Sequence, residues 1–281
     1  MRTAYAIGTS DAAMGTRHAA GPARESGTSR IQTLGGRVGS MLRLDFYRLF
    51  HTPLFYIMVA ISAIIPAMVL TMTSANEAST AQTFTNAWQV VEMVQGGNAG
   101  MDIMSMALLC NVNMVFIFTA ILVSIFVSHD YSSGFIKNIF TVHAKKLDYA
   151  VSKSAVGAFS GACMVLAYLA GAMVAGLIAG KSFALGDATA FGVAMRVLSK
   201  MALMGLFAPL YVAVAVFFKQ RLWLTLIGAF MVGILFYPAA MMTAPLDSGV
   251  VNLLLCLVGG ALFGAAFCAV GNLFLRTRDL A

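Results

Sequence analysis

The chain has 281 residues, 60% of them hydrophobic and only 10% charged, with 18 Lys/Arg against 11 Asp/Glu and a formal charge of +7. That balance excludes an ordinary water-soluble domain, in which about a quarter of the residues are charged. The 4 cysteines and 4 histidines lack the spacings of a disulfide framework, a CxxC pair or an HExxH site, so no metal centre or catalytic metal is implied.

Residues 1–37 are rich in Ala, Gly, Ser, Thr and Arg and poor in large apolar side chains. Such a stretch cannot bury enough surface to fold and is predicted to be a disordered tail. It has no apolar h-region of a signal peptide. Its scarcity of acids fits an organelle transit peptide, and equally an upstream stretch preceding a true start at Met41. Residues 38–281 read as one membrane domain. At its beginning Val38, Leu42, Phe46 and Leu49 follow helical spacing with Arg43, Asp45 and Arg48 interleaved, which predicts a helix lying at the membrane interface. His51, Thr52 and Pro53 then turn the chain into the first span, proline being tolerated in the first turn of a helix.

Six runs contain no Asp, Glu, Lys or Arg: 49–76, 103–128, 154–180, 201–218, 222–246 and 248–275. Each is close to or above the roughly 20 residues that cross a bilayer as a helix. They are continuously apolar and about twice the length of a barrel strand, so strands are disfavoured. All four cysteines, Cys110, Cys163, Cys256 and Cys268, fall inside these runs and read as small packing residues. Six spans place both termini on one side. Fifteen of the 18 Lys/Arg lie on that side, while only Lys181, Arg196 and Lys200 lie opposite, so the termini are expected in the cytoplasm of a multi-pass protein of the cytoplasmic membrane. The basic residues are spread over four cytoplasmic segments facing anionic headgroups, which argues against nucleic acid as the partner.

The first outer loop, Thr73 to Met101, has no Lys or Arg. Phe84, Ala87, Trp88, Val91 and Val94 share one helical face there, which predicts an interfacial helix. Pro66, Pro209 and Pro238 fall inside spans, where each removes a backbone hydrogen bond. Ala175 to Ser182, AGLIAGKS, has the letters of a phosphate-binding loop, but its first half belongs to an apolar span. It is predicted to be a helix end with Gly180 as cap and Lys181 as interface anchor. With no Asp, Glu, Lys or Arg inside the runs, and Arg196 and Lys200 placed at the outer start of the fourth, a proton-coupled carrier is disfavoured. There is no potassium-filter motif and no catalytic dyad. Energy for any uphill transport is expected from another subunit.

Between the second and third runs lies the one long polar segment, His129 to Lys153. Asp130 is placed to cap a short helix whose Phe135, Ile136, Ile139 and Phe140 form an apolar stripe, leaving Lys137 and Asn138 for solvent or partner. The run Asp130, Tyr131, Ser132, Ser133, Gly134, Phe135, Ile136, Lys137, Asn138, followed by Lys145, Lys146, Tyr149, Ser152 and Lys153, resembles the loop between spans two and three of bacterial type-2 ABC transporter permeases. Lys145 and Lys146 replace the family's usual basic position, a mild departure. The resemblance implies an all-α integral membrane protein of six transmembrane helices, with an N-terminal interfacial helix and a cytoplasmic coupling helix between spans two and three. It further implies a permease subunit of an ABC exporter, without catalysis of its own. A second permease subunit would complete the pathway, and a cytoplasmic ABC ATPase would bind the ATP. Asp130, Phe135, Ile136, Lys137, Ile139 and Phe140 are then the residues coupling to that ATPase. The alternative is a membrane-integrated interaction or antimicrobial-peptide immunity protein without transport. A secondary carrier or channel comes third.

Overall fold

The computed structural model describes residues 34–75, 86–91, 112–141, 145–185, 189–218, 221–241 and 249–277. Within them the chain forms α1 (Leu34–His51), α2 (Pro53–Ala75), α3 (Trp88–Val91), α4 (Met114–Ser132), α5 (Phe135–Thr141), α6 (Lys146–Ile178), α7 (Ala190–Phe218), α8 (Leu222–Met241) and α9 (Val250–Thr277). The one β-type pairing among the described residues is an isolated bridge between Asn86 and Ser182.

Five helices, α2, α4, α6, α7 and α9, are long and apolar enough to cross a membrane, and the chain is a multi-pass membrane protein. The fifth predicted run coincides with α8, whose described apolar stretch, Leu222–Leu235, is shorter. Two uncharged runs understate their helices. α6 starts at Lys146 and α7 at Ala190, each about two turns or more before its uncharged run, so charged residues are carried inside both helices. α1 begins at Leu34, a turn before the predicted boundary of the tail, and residues 1–33 lie outside the described residues.

The layering follows from burial. In α4 and α7, 72% and 61% of the apolar window is enclosed by the protein, against 22% in α2 and α9, so α4 and α7 are central and the other two flank them. α7 packs most extensively on α9, α6 packs on both α2 and α7, and α8 lies against α4. The outward faces of α2, α8 and α9 present Ile57, Ile64, Trp223, Leu235, Leu255 and Leu262, apolar side chains that suit lipid rather than water.

Small residues set how closely the helices approach. Gly171 of α6 lies against the backbone of Ala63 in α2, and a Cβ there would overlap the Ala63 carbonyl oxygen. A Cβ on Gly264 of α9 would stand 2.6 Å from the carbonyl oxygen of Gly205 in α7. Without a hydrophobic driving force in lipid, such backbone approach supplies van der Waals contact that larger side chains would forfeit. Thr52 interrupts the chain between α1 and α2, its hydroxyl donating to the Arg48 carbonyl at 2.7 Å, and Pro53 opens α2 where no backbone donor is needed. This is the turn expected from the sequence.

Gly171→Ala is expected to separate α2 from α6 and lower the midpoint of thermal unfolding in detergent. Gly39→Ala, on an exposed helical site with open space around it, should leave the midpoint unchanged or raise it, alanine being favoured by about 1 kcal/mol in a helix. Equal midpoints for the Gly171 variant and the parent would show that the two helices are not held at this contact.

Candidate functional site

The first two turns of α6 gather three other parts of the chain at one end of the bundle. Lys146 Nζ donates to the Leu275 carbonyl in the last turn of α9 at 2.6 Å, a cation placed on the negative end of a helix dipole. Asp148 pairs with Arg37 of α1 at 3.2 Å. One turn on, Lys153 Nζ stands between two carboxylates, 2.7 Å from Asp45 Oδ1 of α1 and 2.6 Å from Asp130 Oδ2 of α4.

Each carboxylate is held on its other side as well. Ser152 donates to Asp45 Oδ2 at 2.7 Å, and Tyr149 Oη donates to Asp130 Oδ2 at 3.0 Å. Arg48 Nη2 lies 2.6 Å from Asp130 Oδ1, and its Nη1 lies 4.0 Å from Asp45 Oδ1. Two acids and two bases thus form a neutral tetrad in which Asp45, Asp130 and Lys153 are almost wholly buried. Aromatic faces complete it: Lys153 Nζ is 4.1 Å from the Phe126 ring centroid, and the Arg48 guanidinium is 4.0 Å from that of Phe135. The Lys153 contact, being desolvated, contributes about 2 kcal/mol, and the Arg48 contact, whose side chain is partly exposed, contributes less.

The tetrad positions α5. α4 runs on through Ser132, and Gly134 makes the turn at φ 69°, in the left-handed region that glycine occupies without a Cβ penalty. Asp130 is therefore not the cap of the short helix: it sits in the last turn of α4 with its carboxylate turned toward two cations. Of the predicted apolar stripe, Ile136 is buried in the bundle, and Phe135, Ile139 and Phe140 are half-buried. The stripe faces the chain's own core, because lining up behind Ile136 is the route by which a seven-residue helix removes apolar surface from water. Ser132, Ser133, Lys137 and Asn138 form the exposed side.

The reading of the interfacial helix as merely amphipathic overlooked the tetrad's share of α1. Its signal was present: Met41, Asp45 and Leu49 recur every four residues, and all three are buried, so an acid occupied the middle of the packing stripe.

The opposite end of the bundle holds a second polar group. α3 is strapped there: Ala87 N donates to the Ser182 carbonyl at 3.0 Å, Trp88 Nε1 to the Phe183 carbonyl at 3.1 Å, and Tyr168 Oη, buried in α6, to the Val90 carbonyl at 3.1 Å. Of the predicted interfacial face, Ala87, Trp88 and Val91 are in or beside α3, while Phe84 and Val94 lie outside the described residues. Arg196 and Lys200 are both buried inside α7, and Lys200 Nζ donates to Asn113 Oδ1 at 2.7 Å. The segment AGLIAGKS has its first half in α6. Its backbone donors close the helix, Ala179 N on Ala175, Gly180 N on Leu177 and Lys181 N on Gly176, with Gly180 at φ 62°, so they do not form a phosphate cradle.

The model of the ABC-2 family transporter proteins matches residues 41–237, from the buried Met41 of α1 to Tyr237 of α8. The chain belongs to this family. No curated protein and no solved structure matches it. As an ABC-2 permease it is a membrane component of an ABC transporter, not a catalytic chain by itself. The matched segment contains the whole tetrad together with α5, α6 and α7 of this permease.

Lys153→Met leaves Asp45 and Asp130 facing each other without their shared cation. Removing one partner of a buried ion pair costs about 3–5 kcal/mol, so the permease should unfold at markedly lower temperature in detergent. Combining it with Asp45→Asn and Asp130→Asn should recover most of the loss, since Arg48 reaches solvent. A single variant as stable as the parent would show that the tetrad does not hold the three helices.

Proposed function

We propose that this ABC-2 protein is the permease subunit of an ATP-driven exporter, with α5 as its coupling helix to a cytoplasmic ABC ATPase. What supports the reading is α5 itself, a short helix set at the charged end of the bundle. Its polar side faces outward, and its apolar side is fastened through the tetrad to α1, α4 and α6. In this reading α2, α4, α6, α7, α8 and α9 are six spans, and the tetrad end with both termini is cytoplasmic, as the fifteen basic residues on that side favour. A second permease subunit, identical or similar, completes the pathway.

The roles of the coupling residues divide by burial. Lys137 and Asn138, with Ser132 and Ser133, meet the ATPase. Ile136 seats the helix on the bundle, while Phe135, Ile139 and Phe140 hold its edges. Asp130 ties its base to Lys153 and Arg48. When ATP closes the ATPase dimer, the push on α5 reaches Arg48 through the Phe135 ring, and α1 and α6 are displaced with it as packed bodies rather than bending individually. No nucleotide is bound by the permease.

Lys137→Glu is expected to reduce copurification of the ATPase about tenfold, a charge reversal across an interface costing over 1 kcal/mol. Phe135→Ala with Phe140→Ala should instead keep much of the ATPase bound while separating its hydrolysis from transport. If both variants copurify and transport like the parent, α5 is not the coupling helix.

The permease purified without its partner should bind no ATP by equilibrium dialysis. Lys181→Ala should leave the ATPase activity of the assembled transporter unchanged, because the neighbouring backbone donors are already used by the end of α6. ATP binding by the lone chain, lost on that substitution, would return the segment to consideration as a nucleotide site.

A further inference from the structure

α1 and α2 run alongside α6 in one register. Arg37 with Asp148, Asp45 with Lys153, Phe50 with Phe159 and Ala63 with Gly171 all meet at separations of 108 to 111 residues, so depth can be counted along the chain. Back from Leu70, the far end of the apolar window of α2, a hydrocarbon core of about 30 Å takes about 20 residues and ends at Phe50. Tyr47 and Arg43 then stand about 5 and 10 Å beyond it, at the headgroup layer. There α1 has an outward side that the tetrad does not use. Arg43, Tyr47 and His51 follow one another every four residues and are exposed, with Leu44 and Phe50 exposed beside them. Tyr47 and His51 stack at 4.0 Å between ring centroids, and His51 Nδ1 donates to the Tyr47 carbonyl at 2.8 Å, which leaves Nε2 of the neutral ring as an acceptor. Tyr56 of α2, itself exposed, donates to the Phe50 carbonyl at 3.0 Å, so this side continues into the lipid-facing side of α2 at Ile57. Asp45, Asp130 and Asp148, the acids among the described residues, are all buried, whereas Arg43, Lys137, Lys145 and Arg276 at this end are exposed.

We propose that Arg43, Tyr47 and His51 bind the headgroup of an anionic glycerophospholipid of the phosphatidylglycerol type. Arg43 and the Tyr47 hydroxyl donate to its phosphate, and His51 Nε2 accepts from a glycerol hydroxyl. The acyl chains pass over Phe50 and Ile57, which lie at heptad spacing from Arg43 and so on the same side. Among the described residues no acid is exposed to receive the choline of a zwitterionic headgroup, and none is paired with Arg43, so a lipid of net negative charge is preferred. The opposite side of α1 carries Asp45 and Arg48, so the lipid holds this helix from outside while the tetrad holds it from within. The binding does not rest on the exporter reading, and it is measured on the permease without an ATPase.

The reporter is Ile57→Cys labelled with bimane, made after Cys110, Cys163, Cys256 and Cys268 are changed to Ala. The full chain is placed in nanodiscs of mixed phosphatidylglycerol and phosphatidylcholine in which the acyl chains of only one of the two lipids are brominated. Quenching then reports which lipid lies against the label. Brominated phosphatidylglycerol should quench at least twice as strongly as brominated phosphatidylcholine, whereas the same label at Leu262 of α9, an exposed apolar site away from α1, should be quenched equally by both. Arg43→Lys should keep the preference. His51→Phe, which preserves the stack and removes the acceptor, should weaken it, and Arg43→Gln with Tyr47→Phe should abolish it. These side chains are exposed, so the variants should keep the parent's midpoint of thermal unfolding. Equal quenching by the two lipids at Ile57→Cys overturns the proposal, as does an equal preference at Leu262→Cys. So does a preference that survives the paired substitution, or a label that neither lipid quenches, the result that a protein partner seated on this side would give.

Discussion

Everything at the charged end of the bundle depends on Lys153 being shared between Asp45 and Asp130. An ammonium taken out of water is costly to bury, and attraction to a single carboxylate seldom offsets that cost. Two carboxylates, each with a second donor, an arginine on the far side and an aromatic face beneath make the site electrically neutral and satisfy most of its polar atoms. Because the four charged residues come from α1, α4 and α6, the condition for neutrality is also a condition on where those helices stand. A shift of α4 or α6 leaves a net charge on the other two, and a shift of α1 takes a second partner from both Asp130 and Lys153. The end of the bundle therefore has a preferred geometry set by electrostatics, whereas the apolar middle is set by shape.

The shape term is visible where the backbones touch. Gly171 against Ala63 and Gly264 against Gly205 bring helix pairs together at distances that side chains would prevent. Pro209 packs beside Gly264, so α7 carries both its helix-breaking residue and its small residue on the side facing α9. Proline leaves a backbone carbonyl of the preceding turn without its partner, and the close neighbour keeps that disturbance away from lipid.

How much of this was legible in the sequence depended on which physical signal each part carries. The membrane class, the helix before the first span, the turn at Thr52 and Pro53 and the short helix after Gly134 follow from apolar runs, helical spacing and turn chemistry, which are local. The boundaries of α6 and α7 did not, because counting charge-free residues assumes that charges stay out of spans. Lys153, Arg196 and Lys200 break that assumption by being buried. The direction of the α5 stripe was also hidden. An apolar face signals that something covers it, but Phe135, Ile136, Ile139 and Phe140 have the same spacing whether the cover is a partner or the chain itself, and only the fold places Ile136 inside.

The length of α6 carries a mechanical implication. From Lys146 to Gly176 it spans about 45 Å at 1.5 Å per residue, half as long again as a hydrocarbon core of about 30 Å. One end bears on Ala87 at Gly176, and the charged cluster lies toward the other. Pivoted near Gly176, a tilt of about 10° would sweep the far end through about 8 Å, more than the length of a helical turn. Leverage of this kind runs both ways: a large, weak displacement at one end becomes a small, forceful one at the other.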